Sequence, residues 1–194
     1  MVKLTEEIRQ LMNMPRRYWA ADYNKIPDGL SYKHRINDYM VNGRENIANG
    51  VGIYFSGPYG SGKSSAAAIV GKEVRKIGKT VHFVTFAELK KRLATSEEWR
   101  EGVSYEDRFE AVDLLIIDDL GREHMGSSGF VESTLDTLVR ARYNDCKPTI
   151  ITSNISTKDF SSRYGESLVS ILHESMRIIS VKGKNWREED TDGN

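Results

Sequence analysis

The chain has 194 residues, enough for one domain with a buried core and too few for a second full one. Lysine plus arginine and aspartate plus glutamate each number 28, so bulk charge points to neither nucleic acid nor a membrane surface, and only a local basic patch could serve either. The single Cys146 excludes an internal disulfide, no Cys/His spacing resembles a zinc site, and no apolar run approaches the roughly 20 residues that cross a bilayer.

In chain order, Thr5 to Met12 carries apolar residues at helical spacing behind an N-cap threonine and two acids, and Pro15 stops it. Such a helix would pack on the domain or on a partner, and because residues 1–14 lack the apolar core of a signal peptide, the chain reads as cytoplasmic. Arg16, Arg17, Tyr18 and Trp19 combine charge with aromatic surface suited to nucleic acid, although such a run is more often a solvated face. After a turn at Pro27-Asp28-Gly29, a helix is expected from Ser31 to about Asn49, with Tyr32, Ile36, Tyr39 and Met40 on one face.

Val51 to Ser56 is an apolar, β-rich run, and Ser65 to Val70 is a strong helix start. Between them stands Gly57-Pro58-Tyr59-Gly60-Ser61-Gly62-Lys63-Ser64, the spacing of a phosphate-binding loop. Its glycines allow successive N–H groups to turn inward around phosphates, and the helix N-terminus adds partial positive charge. Residues Gly57 through Ser65 would hold a nucleoside triphosphate, with Lys63 on the β- and γ-phosphates and the Ser64 hydroxyl on Mg²⁺. An ordinary glycine-rich turn is the bland alternative, and the flanking strand and helix count against it. The aromatic face ahead of the loop suits the core, or a contribution to the adenine pocket.

A strand follows at Thr80 to Thr85 and a helix from Phe86 to about Ala94, which carries the basic run Lys90-Lys91-Arg92, a solvated face or a DNA contact. Residues 95–102 read as an exposed loop with a fragment of helix, and Ser104 with Asp107 is a helix-start signature. The four apolar residues Leu114 to Ile117 predict a strand buried on both faces, ending in Asp118 and Asp119 where ligands bind in open α/β folds. Asp118 fits the Mg²⁺-associated acid and Asp119 the group that orients the attacking water; a solvated Asp-Asp turn is the reading they would have alone.

A flexible stretch at Gly126 to Gly129 precedes a long helix from Phe130 to Asn144 and a buried strand from Thr149 to Asn154. Asn154 could reach the γ-phosphate or the attacking water, or serve as a turn residue. Helices at 157–164 and 166–175, a last strand at 177–181 and an acidic tail at 188–194 complete the chain. His34, His82, His124 and His173 lie far apart and read as surface or packing residues. The alternation predicts an α/β fold, a parallel sheet of about five strands covered on both faces. The expected organisation is an N-terminal helical extension at 1–50, a nucleotide-binding core at 51–187 and the tail.

The phosphate loop, Asp118-Asp119-Leu120-Gly121, Arg142-Tyr143, Thr152-Ser153-Asn154 and Gly183-Lys184-Asn185-Trp186-Arg187 together resemble the ATPase domain of bacterial and phage replicative-helicase loaders. This DnaC/DnaI group stands with the IstB transposition ATPases in the AAA+ superfamily, and the similarity runs from about Met14 to Arg187. The resemblance implies a three-layer P-loop fold and an ATPase that engages a hexameric replicative helicase and single-stranded DNA. It also implies self-assembly, a sensor role for Asn154 and a sensor-2-like or intersubunit role for Arg187. The alternatives are a transposition helper that binds duplex DNA and a small-molecule kinase.

Two departures qualify it, in the N-terminal segment and at the arginine finger. Only about 50 residues precede the first strand, where cellular loaders carry a helicase-binding domain, so a phage or mobile-element protein is expected, with residues 1–14 as a reduced docking element. Ile171 stands where the family usually has its arginine finger, a group worth about 10³ to 10⁵ in turnover, so hydrolysis is expected to be slow. Arg142, Arg163 and Arg177 are the candidate substitutes, each otherwise an ordinary surface or salt-bridging arginine. The short C-terminus leaves no room for a helical lid, and an open site is expected.

Overall fold

The computed structural model describes residues 4–95, 98–100, 102–121 and 130–182. Helix α1 (Glu6–Leu11) starts at the expected cap, the Thr5 hydroxyl accepting a hydrogen bond from the Ile8 amide at 3.3 Å. Two short 3-10 turns, Arg16–Tyr18 and Tyr23–Lys25, lead into α2 (Ser31–Val41). The single helix expected here is broken, since Asn42 leaves helical geometry and a separate α3 (Gly43–Ala48) follows. The Asn46 side-chain amide donates to the Tyr39 carbonyl at 2.8 Å, and that of Asn42 to the Asp38 carbonyl at 2.9 Å. These bonds satisfy carbonyls that the interrupted ladder leaves open.

Strand β1 (Gly52–Ser56), helix α4 (Lys63–Lys76), strand β2 (Val81–Thr85) and helix α5 (Phe86–Thr95) follow as expected. In place of the expected loop and helix fragment, β3 (Glu98–Arg100) and β4 (Val103–Ser104) form a small antiparallel hairpin whose turn contains Gly102 at φ 72°. Such short strands are below the length at which alternation becomes visible in a sequence. Helix α6 (Tyr105–Ala111) opens with the anticipated reciprocal cap between Ser104 and Asp107. Strand β5 (Leu114–Leu120), helix α7 (Phe130–Asn144), strand β6 (Thr149–Ser153), helices α8 (Thr157–Tyr164) and α9 (Glu166–Ser175), and strand β7 (Met176–Ser180) complete the described chain.

The five longer strands make one parallel sheet in the order β2-β5-β6-β1-β7. Side chains alternate across it. Ile53, Phe55, Leu114 and Ile116 face α2 to α4, while Tyr54, Leu115, Ile117 and Ile151 face α5 to α9. Leu114 to Ile117 are fully buried, which explains why β5 reads as an unbroken apolar run.

Met12, Met14, Tyr18, Ile26, Tyr32, Ile36 and Tyr39 share the first of these cores, so residues 4–48 pack directly on the sheet. The Phe83 amide donates to the Met12 carbonyl at 2.7 Å, and the Asn13 side chain donates to the Phe83 carbonyl at 3.0 Å. The segment after α1 thereby covers part of the exposed edge of β2.

Arg142 corrects the expectation of a surface or salt-bridging arginine. It is 1% exposed, and its guanidinium donates to the carbonyls of Phe109, Glu110, Val112 and Pro148 and to the Thr149 hydroxyl, all within 3.1 Å. Burial lowers its pKa to about 9. The side chain closes the ends of α6, β5 and β6 from inside and has no reach to a neighbouring molecule.

Candidate functional site

The phosphate loop leaves the C-terminal end of β1, between β6 and β7, the point where α/β sheets bind ligands. Gly57 has φ 152°, and a Cβ there would lie 2.2 Å from the Val181 carbonyl oxygen, so only glycine fits. Gly62 sits at φ 96° as the cap of α4, a left-handed conformation that delivers Lys63 and Ser64 into the first turn. The Lys63 ammonium donates to the carbonyls of Gly57 at 2.8 Å and Pro58 at 2.6 Å, which holds it across the loop. The Ser61 hydroxyl is buried there without a hydrogen-bond partner.

Asp118 and Asp119 lie where the β5–β6 register shifts between Ile117 and Leu120. Asp119 adopts φ 64°, a strained left-handed geometry for a residue with a side chain. Thr152 on β6 bridges the gap: its hydroxyl accepts from the Asp119 amide at 3.0 Å and donates to the Asp118 carboxylate at 2.6 Å. Burial raises the Asp118 pKa above the usual carboxylate range, opposed by hydrogen bonds from Ser64 and Thr152 and reinforced by the Asp119 charge. Asp118 is 1% exposed, whereas Asp119 is half-buried and lines a cavity. The sequence marks Thr152 as part of a polar strand end and of the Thr152-Ser153-Asn154 motif but not as the partner of Asp118, which lies 34 residues away.

Asn154 donates its side-chain amide to the Tyr59 hydroxyl of the loop at 2.8 Å. Its Oδ1 is buried without a partner beside Gly121, where a Cβ would stand 3.1 Å from it. The strand end and the phosphate loop therefore meet.

A cavity of about 580 Å³ runs from these groups to the N-terminal segment. Its polar end is formed by Gly60, Gly62, Lys63, Ser64, Ser65 and Asp119, with Tyr59 and Thr152 beside them. Tyr18, Ile26, Tyr32 and Ile69 make its apolar end. Gly57, Pro58 and Ser61 shape the loop behind, and Asp118 lies beneath Thr152. A polar cradle with an apolar extension matches the triphosphate and base of a nucleotide. Tyr32, Ile36 and Tyr39 all belong to the core, and of the three Tyr32 also lines the cavity.

Other expected residues divide. Ile171 is 5% exposed and packs with Leu168 and Leu172 of α9, so that position serves the core. Arg177 donates to the Asn46 side chain at 3.0 Å and lies over the Tyr39 ring, and Arg163 lies over the Tyr164 ring. Tyr18 is buried against the core and lines the cavity, and the Trp19 indole donates to the Met14 carbonyl at 2.9 Å between Arg9 and Arg16. Arg92 pairs with Glu88 and lies over Tyr105, while Lys91 is exposed. His82 is the packing residue expected, and His124 and Arg187 lie outside the described residues. Among the described residues no helix is long and apolar enough to cross a membrane, and no cluster of His, Cys, Asp and Glu is grouped to hold a metal.

Sheet order, glycine loop and paired carboxylates define a P-loop ATP-binding protein of the AAA+ class. The chain belongs to the family of IstB-like ATP-binding proteins, whose model matches residues 33–192. It is 28% identical over 134 residues to the replicative helicase loader DnaC of Buchnera aphidicola subsp. Acyrthosiphon pisum (strain APS), covering 68% of this chain and 52% of that protein. The crystal structure of the DnaC helicase loader matches at TM-score 0.74 and 27% identity over 87% of this chain and 100% of that one. The crystal structure of DnaI shares the fold, with TM-score 0.73 at 20% identity over 93% and 99% of the two chains. This chain spans 52% to 61% of the length of the curated relatives it matches.

Proposed function

We propose that this protein is an ATP-hydrolysing helicase loader of DNA replication, acting with a hexameric replicative helicase and single-stranded DNA. The observation that carries this reading is the cavity joining Lys63, Ser64, Asp119 and Thr152 to an apolar wall, on a fold similar to the whole crystallised DnaC chain.

The loop amides of residues 57–65 bind the triphosphate, and Lys63 exchanges its loop carbonyls for β- and γ-phosphate oxygens. Ser64 and Asp118 would hold Mg²⁺: a buried carboxylate whose pKa is raised by desolvation, with a serine hydroxyl bonded to it, has the hard oxygen donors that cation prefers. When bound, the ion supplies neutralisation of phosphate charge. Asp119, less buried and held by Thr152, orients the attacking water and accepts its proton. Asn154, already at the loop through Tyr59, presents its amide to the γ-phosphate or that water.

Turnover is slow in this reading, because Ile171 is a core residue and Arg142 is spent on internal carbonyls. A partner's arginine, or Arg187 from a neighbouring copy in a self-assembled ring, completes the site.

The test is ATP hydrolysis by the purified protein, alone and with single-stranded DNA, duplex DNA or a replicative helicase. Stimulation by single strands or helicase supports the loader. The family match favours a second reading, an IstB-like transposition helper, for which stimulation and assembly would require duplex DNA. Phosphate release without an added acceptor rejects a kinase.

A further inference from the structure

The apolar end of the nucleotide cavity is closed by a strap, residues 18–26, that contains no long helix and crosses the surface between α1 and α2. It is built from the 3-10 turn Arg16–Tyr18 and its continuation to Ala21, then the turn Tyr23–Lys25 and Ile26. Tyr18, Ala21, Asp22, Lys25 and Ile26 all line the cavity. Carbonyl groups at the end of a helical turn lack partners within it, so such a strap has to find donors elsewhere or fray.

Two lysines supply them, one at each end. Lys72, in the middle of α4 and 8% exposed, directs its ammonium at the carbonyls of Tyr18 at 3.4 Å, Trp19 at 3.3 Å and Ala21. Lys33 of α2, also 8% exposed, donates to the Ile26 carbonyl at 2.6 Å and to the Asp28 carboxylate at 2.6 Å. Burying an ammonium is unfavourable unless its three donors are used. Carbonyls at the ends of turns are good acceptors for it, because they carry the negative end of the turn's dipole. Asp22 stiffens the middle of the strap, accepting from the Asn24 amide at 2.8 Å.

Lys72 also lies on the helix whose first turn belongs to the phosphate loop, so one rigid element holds the phosphate subsite at one end and the strap further along. Methionine or leucine at either lysine position would fill similar space without the unfavourable burial of a charge. What the ammonium adds is a set of directional bonds to strap carbonyls.

We propose that Lys72 and Lys33 are positioning residues for the nucleoside part of the ligand, pinning the two ends of residues 18–26 into a wall against which base and ribose pack. The triphosphate subsite is left to the loop. This inference rests on the nucleotide-binding reading of the cavity.

The test compares affinities for ATP and for inorganic tripolyphosphate, measured calorimetrically in magnesium buffer, for the unsubstituted protein, Lys72→Met and Lys33→Met. Partial unfolding scales both affinities alike, so the ratio between them reports the wall itself. Because ATP would have to order a loosened strap, each substitution should lower the ATP-to-tripolyphosphate affinity ratio by about tenfold and leave tripolyphosphate within about twofold of its original affinity. If Lys72→Met does not fold, Lys33→Met at the other end decides by the same ratio. An unchanged ratio in folded variants that bind ATP would overturn the clamp and leave the nucleotide site intact. Equal loss of both ligands in a Lys72→Met protein that circular dichroism shows to be fully folded would also overturn it, since Lys72 would then act on the phosphate loop through α4. If the unsubstituted protein bound neither ligand, the nucleotide reading itself would fall, and the clamp with it.

Discussion

The side-chain amide of Asn154, at the end of β6, donates to the hydroxyl of Tyr59, within the phosphate loop, at 2.8 Å. Two segments 95 residues apart are thus coupled beside the cavity, which Tyr59 lines, and under the proposed function Asn154 would sense a phosphate bound by the loop. Asn154→Ala should therefore leave ATP affinity within a factor of a few and lower kcat by about 10². Single-turnover hydrolysis and equilibrium binding separate the two effects, and a loss confined to binding would reduce Asn154 to a turn residue.

Lys63 and Asp119 should separate binding from chemistry. Lys63→Ala removes the ammonium of the loop and is expected to abolish ATP binding or turnover. Asp119→Asn keeps the shape and removes the negative charge, so binding should persist while hydrolysis falls by about 10² or more. Turnover unaffected by Lys63→Ala would refute the central assignment.

Thr152 satisfies both the Asp118 carboxylate and the Asp119 amide. Thr152→Val keeps the volume, strands the Asp119 amide and leaves the buried Asp118 carboxylate with Ser64 alone, so the protein should lose about 2 kcal/mol of stability. Denaturant titration checks this. Thr152→Ser, which retains the hydroxyl, should recover most of the loss, whereas an equal loss in Ser and Val variants would point to packing of the methyl group.

His82 makes a pH prediction. It is fully buried, both ring nitrogens lack a hydrogen-bond partner, and the ring packs against Tyr105 and Phe109. Burial lowers its pKa to about 3, with Arg108 and then Arg92 adding to the effect. The folded-state value is therefore below the unfolded one of about 6.5. Above pH 6.5 the full contribution of the neutral ring is present. Below it the unfolded chain binds the extra proton, and stability falls by about 1.4 kcal/mol per pH unit toward the folded value. His82→Phe should flatten this slope, so that the loss between pH 7 and 5 shrinks by about 2 kcal/mol relative to the unsubstituted protein. An unchanged slope in unfolding curves would assign the acid sensitivity to other groups.

How much was legible in the sequence follows from how local each constraint is. The phosphate loop and the Asp118-Asp119 pair could be read directly, because phosphate binding demands glycine geometry and fixed residue types within a few positions. Strand β5 could be read because burial on both faces imposes a continuous apolar run. The hairpin of β3 and β4 could not, since two or three residues per strand show no period. The break at Asn42 was hidden because Tyr39, Asn42 and Asn46 all fit a helical register, and only side-chain bonds to Asp38 and Tyr39 show where the ladder stops.

By itself, then, the amino-acid order determined the layered α/β fold, the strand-to-helix phosphate loop and the acidic pair at a strand end, each set by propensity and spacing over short distances. Tertiary structure decided the partners. Arg142 became an internal tie for carbonyls up to 33 residues away, Ile171 a core residue, Thr152 the bridge between the two carboxylate residues, and Lys72 the anchor of a strap 51 to 54 residues upstream. Whether a charged or hydroxyl side chain meets water, a carboxylate or a ring of carbonyls depends on what packs against it from distant parts of the chain, and no local pattern encodes that.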